Sequence, residues 1–121
     1  MPHETIIEEN GIYWRIYGIL SYGEIFLINK EAWNRSDWSD MKYQITNFLD
    51  VDTVEISKEK VTLIAHMDSA SSQSSHKMKV ALVADQDDIL ELCTDYIEAL
   101  KPDDWEAKIF GTLEEARAWV G

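Results

Sequence analysis

Met78-Lys79-Val80-Ala81-Leu82-Val83-Ala84, followed directly by Asp85-Gln86-Asp87-Asp88, is the stretch on which the fold turns. Six of its first seven residues are apolar, the pattern of a buried strand in a parallel sheet. The acidic cluster supplies a cap and negative charge at a helix start, where the helix dipole favours it. Ile89, Cys93, Tyr96, Ile97 and Leu100 then fall on one helical face, and Pro102 closes the element. A buried strand running straight into an amphipathic helix is the working unit of an α/β protein.

The same alternation extends in both directions. Upstream, Thr5–Glu9 and Ile12–Tyr17 are rich in β-branched and aromatic residues, and Asn10-Gly11 between them predicts a hairpin with a type I′ turn. Ser21-Tyr22-Gly23-Glu24 has capping-box spacing and opens a helix over 22–33. Ile25, Ile28 and Ala32 share one face of it, with Phe26 and Trp33 alongside. So wide an apolar surface implies burial on more than one side. Asn34–Lys42 is polar apart from Trp38 and Met41. Tyr43–Leu49 reads as a strand and Asp50–Ser57 as a loop, with Ser57 capping a helix over 58–71. That helix frays into a serine-rich connection ending at His76. Downstream, Trp105–Phe110 is a last strand, and Thr112-Leu113-Glu114-Glu115 is a second capping box opening a short helix through Trp119.

The order is therefore β-β-α-β-α-β-α-β-α in a single domain spanning 1–121. It implies a mostly parallel sheet with right-handed crossovers and an antiparallel N-terminal hairpin strand. Parity suggests that Ile45, Val80, Leu82, Ala107 and Ile109 share one sheet face. The opposite sets, Gln44-Thr46-Phe48, Lys79-Ala81-Val83 and Glu106-Lys108-Phe110, begin polar and turn apolar, as on a face only partly covered. Tyr13, Arg15 and Tyr17 would join that second face.

Composition narrows the partners. The 121 residues carry a net charge of −12, and so acidic a domain repels nucleic acid and anionic membrane surfaces. No apolar run is long enough for a membrane span, and the first residues, Met1-Pro2-His3-Glu4, lack a signal-type pattern. One cysteine, Cys93, forms no internal disulfide, which favours a reducing, cytoplasmic setting.

The entry hairpin, Tyr43-Gln44-Ile45 leading into an acidic loop, Lys79-Val80-Ala81-Leu82-Val83-Ala84-Asp85, and the whole ending Trp105–Trp119 resemble the small bacterial SpoIIAA-like proteins, relatives of STAS domains. The resemblance covers nearly the whole chain. It implies a sheet with helices mainly on one face, and action by contact with a protein partner or a second copy. STAS regulators carry Asp-Ser-Ser-Gly at the start of the helix after the central strand, where a kinase phosphorylates a serine. The matching stretch here is Glu55-Ile56-Ser57-Lys58, with Ile56 at one serine position and Lys58 in place of the glycine. Ser57 is accordingly a phospho-switch position by resemblance and a helix N-cap by its local chemistry.

Other constellations are weaker. His66, Asp68 and His76 lack metal-ligand spacing, so no metal is expected. Cys93 falls on an apolar helix face and reads as core. Ser69–Ser75 lacks a nucleophile elbow, and no Gly-rich phosphate loop occurs. Neither a catalytic constellation nor a cofactor is expected. Asp50, Asp52, Asp85 and Asp87 would gather at the carboxyl edge of the sheet, where α/β proteins bind ligands, or would simply cap helices and solubilise the domain. The expected contact surface comprises Trp38, Phe48, Asp50, Asp52, Glu55, Lys58, Lys79 and Lys108. Trp38, between Asp37 and Asp40, is either an exposed contact residue or tucked under its loop. A homodimer through the half-covered face would bury Phe48, Val83 and Phe110. The alternative is a small apolar ligand or lipid held beneath the first helix, with Ile25-Phe26-Leu27-Ile28 as its lid; the fold class also resembles the lipid-binding CRAL-TRIO architecture.

Overall fold

Two strands, β1 (His3–Ile7) and β2 (Gly11–Ser21), form the entry hairpin in a computed structural model that describes residues 3–71, 77–100 and 105–121. The turn lies one residue earlier than Asn-Gly chemistry suggests. Glu8 N–H donates to Gly11 O at 2.9 Å, which leaves Glu9 and Asn10 at the tip. Gly11 instead begins β2, because a Cβ there would lie 2.6 Å from the Tyr43 ring and its carbonyl oxygen. The positive φ belongs to Gly18 (72°), where two register shifts kink β2 against its neighbour.

The chain continues through α1 (Tyr22–Trp33), a 3₁₀ turn at Trp38–Asp40, β3 (Tyr43–Glu55), α2 (Lys58–Ser71), β4 (Met78–Val83), α3 (Asp87–Ala99), β5 (Trp105–Phe110) and α4 (Leu113–Val120). The five strands lie in chain order, β1 antiparallel to β2 and the rest parallel. The expected element order and sheet type are thus the observed ones. The serine-rich stretch 72–76, with His76, and Pro102, expected to close the third helix, fall outside the described residues.

The caps differ from expectation in detail. Ser21 Oγ accepts from Glu24 N–H at 3.3 Å, but the Glu24 carboxylate turns to the His3 ring instead of reaching back to the cap. Thr112 Oγ1 accepts from Glu115 N–H at 3.2 Å and also bonds the Glu115 carboxylate. Gln86, not an aspartate, occupies the cap of α3, and its side chain donates to Val51 O at 2.8 Å.

Two corrections concern β3. Residues 50–55, expected as a loop, continue the strand because β2 is equally extended there and pairs with them from Tyr17↔Asp50 to Ser21↔Glu55. Its parity is also the reverse of the expected one. Gln44 pairs with Val80 and Thr46 with Leu82, so these two polar residues and Phe48 face the main helical layer. Ile45 lies on the opposite face with Tyr13, Ala81 and Val83.

The main core lies between the sheet and α1, α2 and α3, with Trp14, Ile12, Ile16 and Ile28 among its most buried side chains. The helix α4 covers the other face through Ala116 and Trp119. Three helices on one face and one on the other match the expectation of helices mainly on one face. Cys93 is buried at 5% exposure, and burial pushes its thiol up to about 12. Folded protein is therefore expected to resist a thiol reagent at neutral pH for as long as the core stays closed. Stoichiometric labelling without denaturant would contradict this packing.

Candidate functional site

Beyond the short strand β4, β2 and β3 run on together as a two-stranded ribbon. Thr46 and Asn47 are the last β3 residues with partners on both sides, through Leu82 and Val83. From Asp50 to Glu55 the only paired neighbour among the described residues is β2. The ribbon exposes Asp50, Asp52, Thr53 and Glu55, and Ile19 stands 46% exposed among them. Asp50 is engaged: Arg15 Nε donates to it at 2.7 Å while Arg15 Nη1 donates to Glu4 at 2.6 Å.

The ribbon ends at the N-terminus of α2. Exposed Ser57 caps that helix, its Oγ accepting from Lys60 N–H at 3.3 Å. This is the geometry expected of an N-cap. Lys58 reaches Asp95 of α3 at 3.8 Å, and Lys60 lies 4.8 Å from the Tyr22 ring centre on α1. The corner thus gathers Asp50, Asp52, Glu55, Ser57 and Lys58 at one end of the sheet.

The remaining surface candidates lie elsewhere. Trp38 is 8% exposed and packs on Trp105 with ring centres 6.0 Å apart, so it is tucked under its loop. Phe48 is also 8% exposed and sits in the main core, a consequence of the reversed parity of β3. Lys79 and Lys108 are committed to α4. Lys79 Nζ donates to Trp119 O at 3.1 Å, and the two ammonium groups lie 5.2 and 5.4 Å from the Trp119 ring centre. Val83 is fully buried and Phe110 packs on Trp119 at 5.5 Å. The face expected to join two copies is therefore covered by the chain's own last helix.

That helix is also fastened to the hairpin. Arg117 donates to the Glu8 carboxylate at 2.5 and 2.8 Å and lies 5.1 Å from the Tyr13 ring centre, and Tyr43 donates its hydroxyl proton to Glu8 as well. The Arg117 bonds hold the Glu8 carboxyl below its ordinary value of 4.5, while burial and Glu8 push the Tyr43 hydroxyl up. A carboxyl whose folded value is depressed stabilises the fold above its unfolded value, and loses that stabilisation as pH falls through the folded value. Glu8→Gln should therefore melt below wild type at neutral pH, and the gap should close as pH drops below about 4. A gap independent of pH would show that the pair contributes nothing through charge.

Between the sheet and the helical layer lies a cavity of about 80 Å³. Ile25 and Ile28 of α1, Phe48 of β3, Leu82 of β4 and Ile89 and Cys93 of α3 line it. Its polar groups come from Asn29, Gln44, Thr46 and Tyr96, all buried, and no charged side chain among the described residues lines it. The Gln44 Nε2 group has no hydrogen-bond partner among the described residues. Of the expected Ile25-Phe26-Leu27-Ile28 only Ile25 and Ile28 line the space, and the buried polar residues were missed. The readable signal was the polar parity set Gln44-Thr46, had it been assigned to the buried face.

His66 is exposed, and no group of three or more potential metal ligands occurs among the described residues. None of the described helices is long and apolar enough to cross a membrane.

No family model and no curated protein sequence matches the chain. Solved structures do. The anti-sigma factor antagonist SpoIIAA in its unphosphorylated form aligns at TM-score 0.60 and 13% identity, over 98% of this chain and 96% of that one. Phosphorylated SpoIIAA, a Bacillus cell fate determinant, aligns at 0.61 and 14%, over 98% and 99%. An uncharacterised DUF3478-family protein from Shewanella loihica with a SpoIIAA-like fold aligns at 0.54 and 16%, over 98% and 93%. The fold is SpoIIAA-like, the class to which the sequence resemblance pointed.

Proposed function

We propose that the chain is a non-enzymatic binding module of STAS type that engages a protein partner at the corner formed by the β2–β3 ribbon and the start of α2. The observation that carries this is the ribbon itself. It projects past the body of the sheet and presents an exposed isoleucine, Ile19, among the exposed acidic residues Asp52 and Glu55. An apolar contact ringed by charge suits a reversible interface, with the acids steering a basic partner. The neighbouring SpoIIAA structures, solved with and without phosphate, add weight to a regulatory reading of this corner. A phosphate on Ser57 would meet the first amides of α2 with Lys58 and Lys60 nearby.

The test is affinity purification from the native host under mild cross-linking, with intact-mass analysis of the recovered chain. A specific partner should be retained by Glu114→Lys, on exposed α4, and lost with Ile19→Asp or Asp52→Lys. A mass increase of one phosphate that disappears in Ser57→Ala would place a switch at this corner. Equal recovery by all variants would move the interface off the ribbon.

The cavity favours a second reading, a small apolar ligand held beneath α1. Ile25 and Ile28 of α1 line it. Mass spectrometry of an organic extract of the purified protein tests this directly, and an empty extract counts against it.

A further inference from the structure

Resting on the second reading, we infer that the cavity selects a small neutral molecule, apolar over most of its surface and carrying one hydrogen-bond acceptor, which Gln44 anchors. The walls set the apolar part, since aliphatic side chains from β2, α1, α2, β4 and α3, with the Phe48 ring of β3, surround the space. The absence of any charged group among the described lining residues sets neutrality. An ionised carboxylate or phosphate entering it would shed its hydration with no cation to receive it.

Gln44 sets the polar feature. Its side chain is 3% exposed, and its Nε2 lacks a partner among the described residues. A buried amide donor without an acceptor is costly, and proteins rarely retain one without a use. Gln44 lines the cavity, so an acceptor on a molecule held there would satisfy that donor. Thr46, one pleat along on the same face of β3, lines the cavity beside Gln44. The volume, about 80 Å³, accommodates a short chain or a small ring. No hydrophobic rationale explains why a glutamine stands where Val80 and Leu82 are its cross-strand neighbours in register and diagonal. An anchoring donor does.

The test compares 2-heptanone with heptanoate on the intact chain, read by shifts of the Gln44 side-chain amide and of the Ile28 and Leu82 methyls in NMR titrations. Wild type should bind 2-heptanone and bind heptanoate at least tenfold more weakly. Gln44→Leu, which keeps the volume and removes the unpaired donor, should fold at least as stably as wild type and bind 2-heptanone about three- to tenfold more weakly. If 2-heptanone shifts none of these signals, the ligand reading itself fails. If it binds both proteins equally, the cavity stands and the anchor role of Gln44 falls. Heptanoate binding as tightly as the ketone would overturn the claim of neutrality, and a water molecule alone satisfying Gln44 would appear as ketone-insensitive amide signals.

Discussion

Trp14→Ala is expected to destabilise the protein by about 3–5 kcal/mol and to lower its Tm by roughly 10–20 °C. Trp14 is the largest fully buried side chain, at 1% exposure, and it sits in β2 between Thr5 of β1 and Thr46 of β3. Its face of the sheet is the one that receives α1, α2 and α3, so a cavity opened there weakens the whole main core. With ordinary stability of about 5–15 kcal/mol, a loss of that size removes a large fraction of the total. Trp14→Phe sharpens the comparison. It keeps a ring in place and removes the indole N–H, which has no partner among the described residues. It should cost well under half as much as the alanine change. Thermal and urea denaturation of the three proteins would decide, and equal losses for both variants would show that the indole N–H finds a partner after all.

Most of the fold was legible because its signals are local. The two helix starts marked by Ser21 and Thr112 each needed only a hydroxyl three residues before the amide it accepts from, and both helices begin there. The strand at Met78–Val83 needed only its unbroken apolar run. Register is not local. Gln44 and Thr46 looked solvent-facing because polar side chains usually are, and the inverted parity carried Phe48 to the wrong surface. The extension of β3 to Glu55 was hidden for the same reason: Asp50 and Asp52 read as loop residues, while the partner that holds them in a strand, β2, lies about thirty residues earlier.

The site was legible in a corresponding way. Ser57 as an N-cap follows from its own neighbourhood, and the structure shows that bond. Asp50, Asp52, Glu55 and Lys58 gather because they are close in sequence around one strand–helix junction. Lys79 and Lys108 were placed by strand parity and Trp38 by its polar loop, and neither signal reveals the rings they meet, Trp119 and Trp105. The cavity could be anticipated from the wide apolar face of α1. Its polar floor could not, since a buried glutamine becomes visible only once strand register is known.

Ala116→Arg is expected to release α4 and turn the chain into a self-associating protein. Ala116 has no exposed surface, and its methyl group lies in a small cluster with Tyr13, Ile45, Ala81 and Val83. A guanidinium cannot remain there unpaired and dry, so the helix must lift from the sheet. Lifting it also breaks the Arg117–Glu8 pair and withdraws Trp119 from Phe110, Lys79 and Lys108. The combined loss should reach about 3 kcal/mol or more, the range reserved for buried charge and broken networks. What remains is an uncovered apolar face on a sheet, and contiguous patches of that kind drive association. Light scattering over a concentration series should show a mass that rises for the variant, against a wild type whose face is covered by its own helix. A variant that keeps both the wild-type mass and the wild-type Tm would mean that α4 is not what closes this face. A variant that unfolds without associating would mean that the second face depends on α4 for its structure as well as for its cover, and urea-induced unfolding followed by circular dichroism separates those two cases.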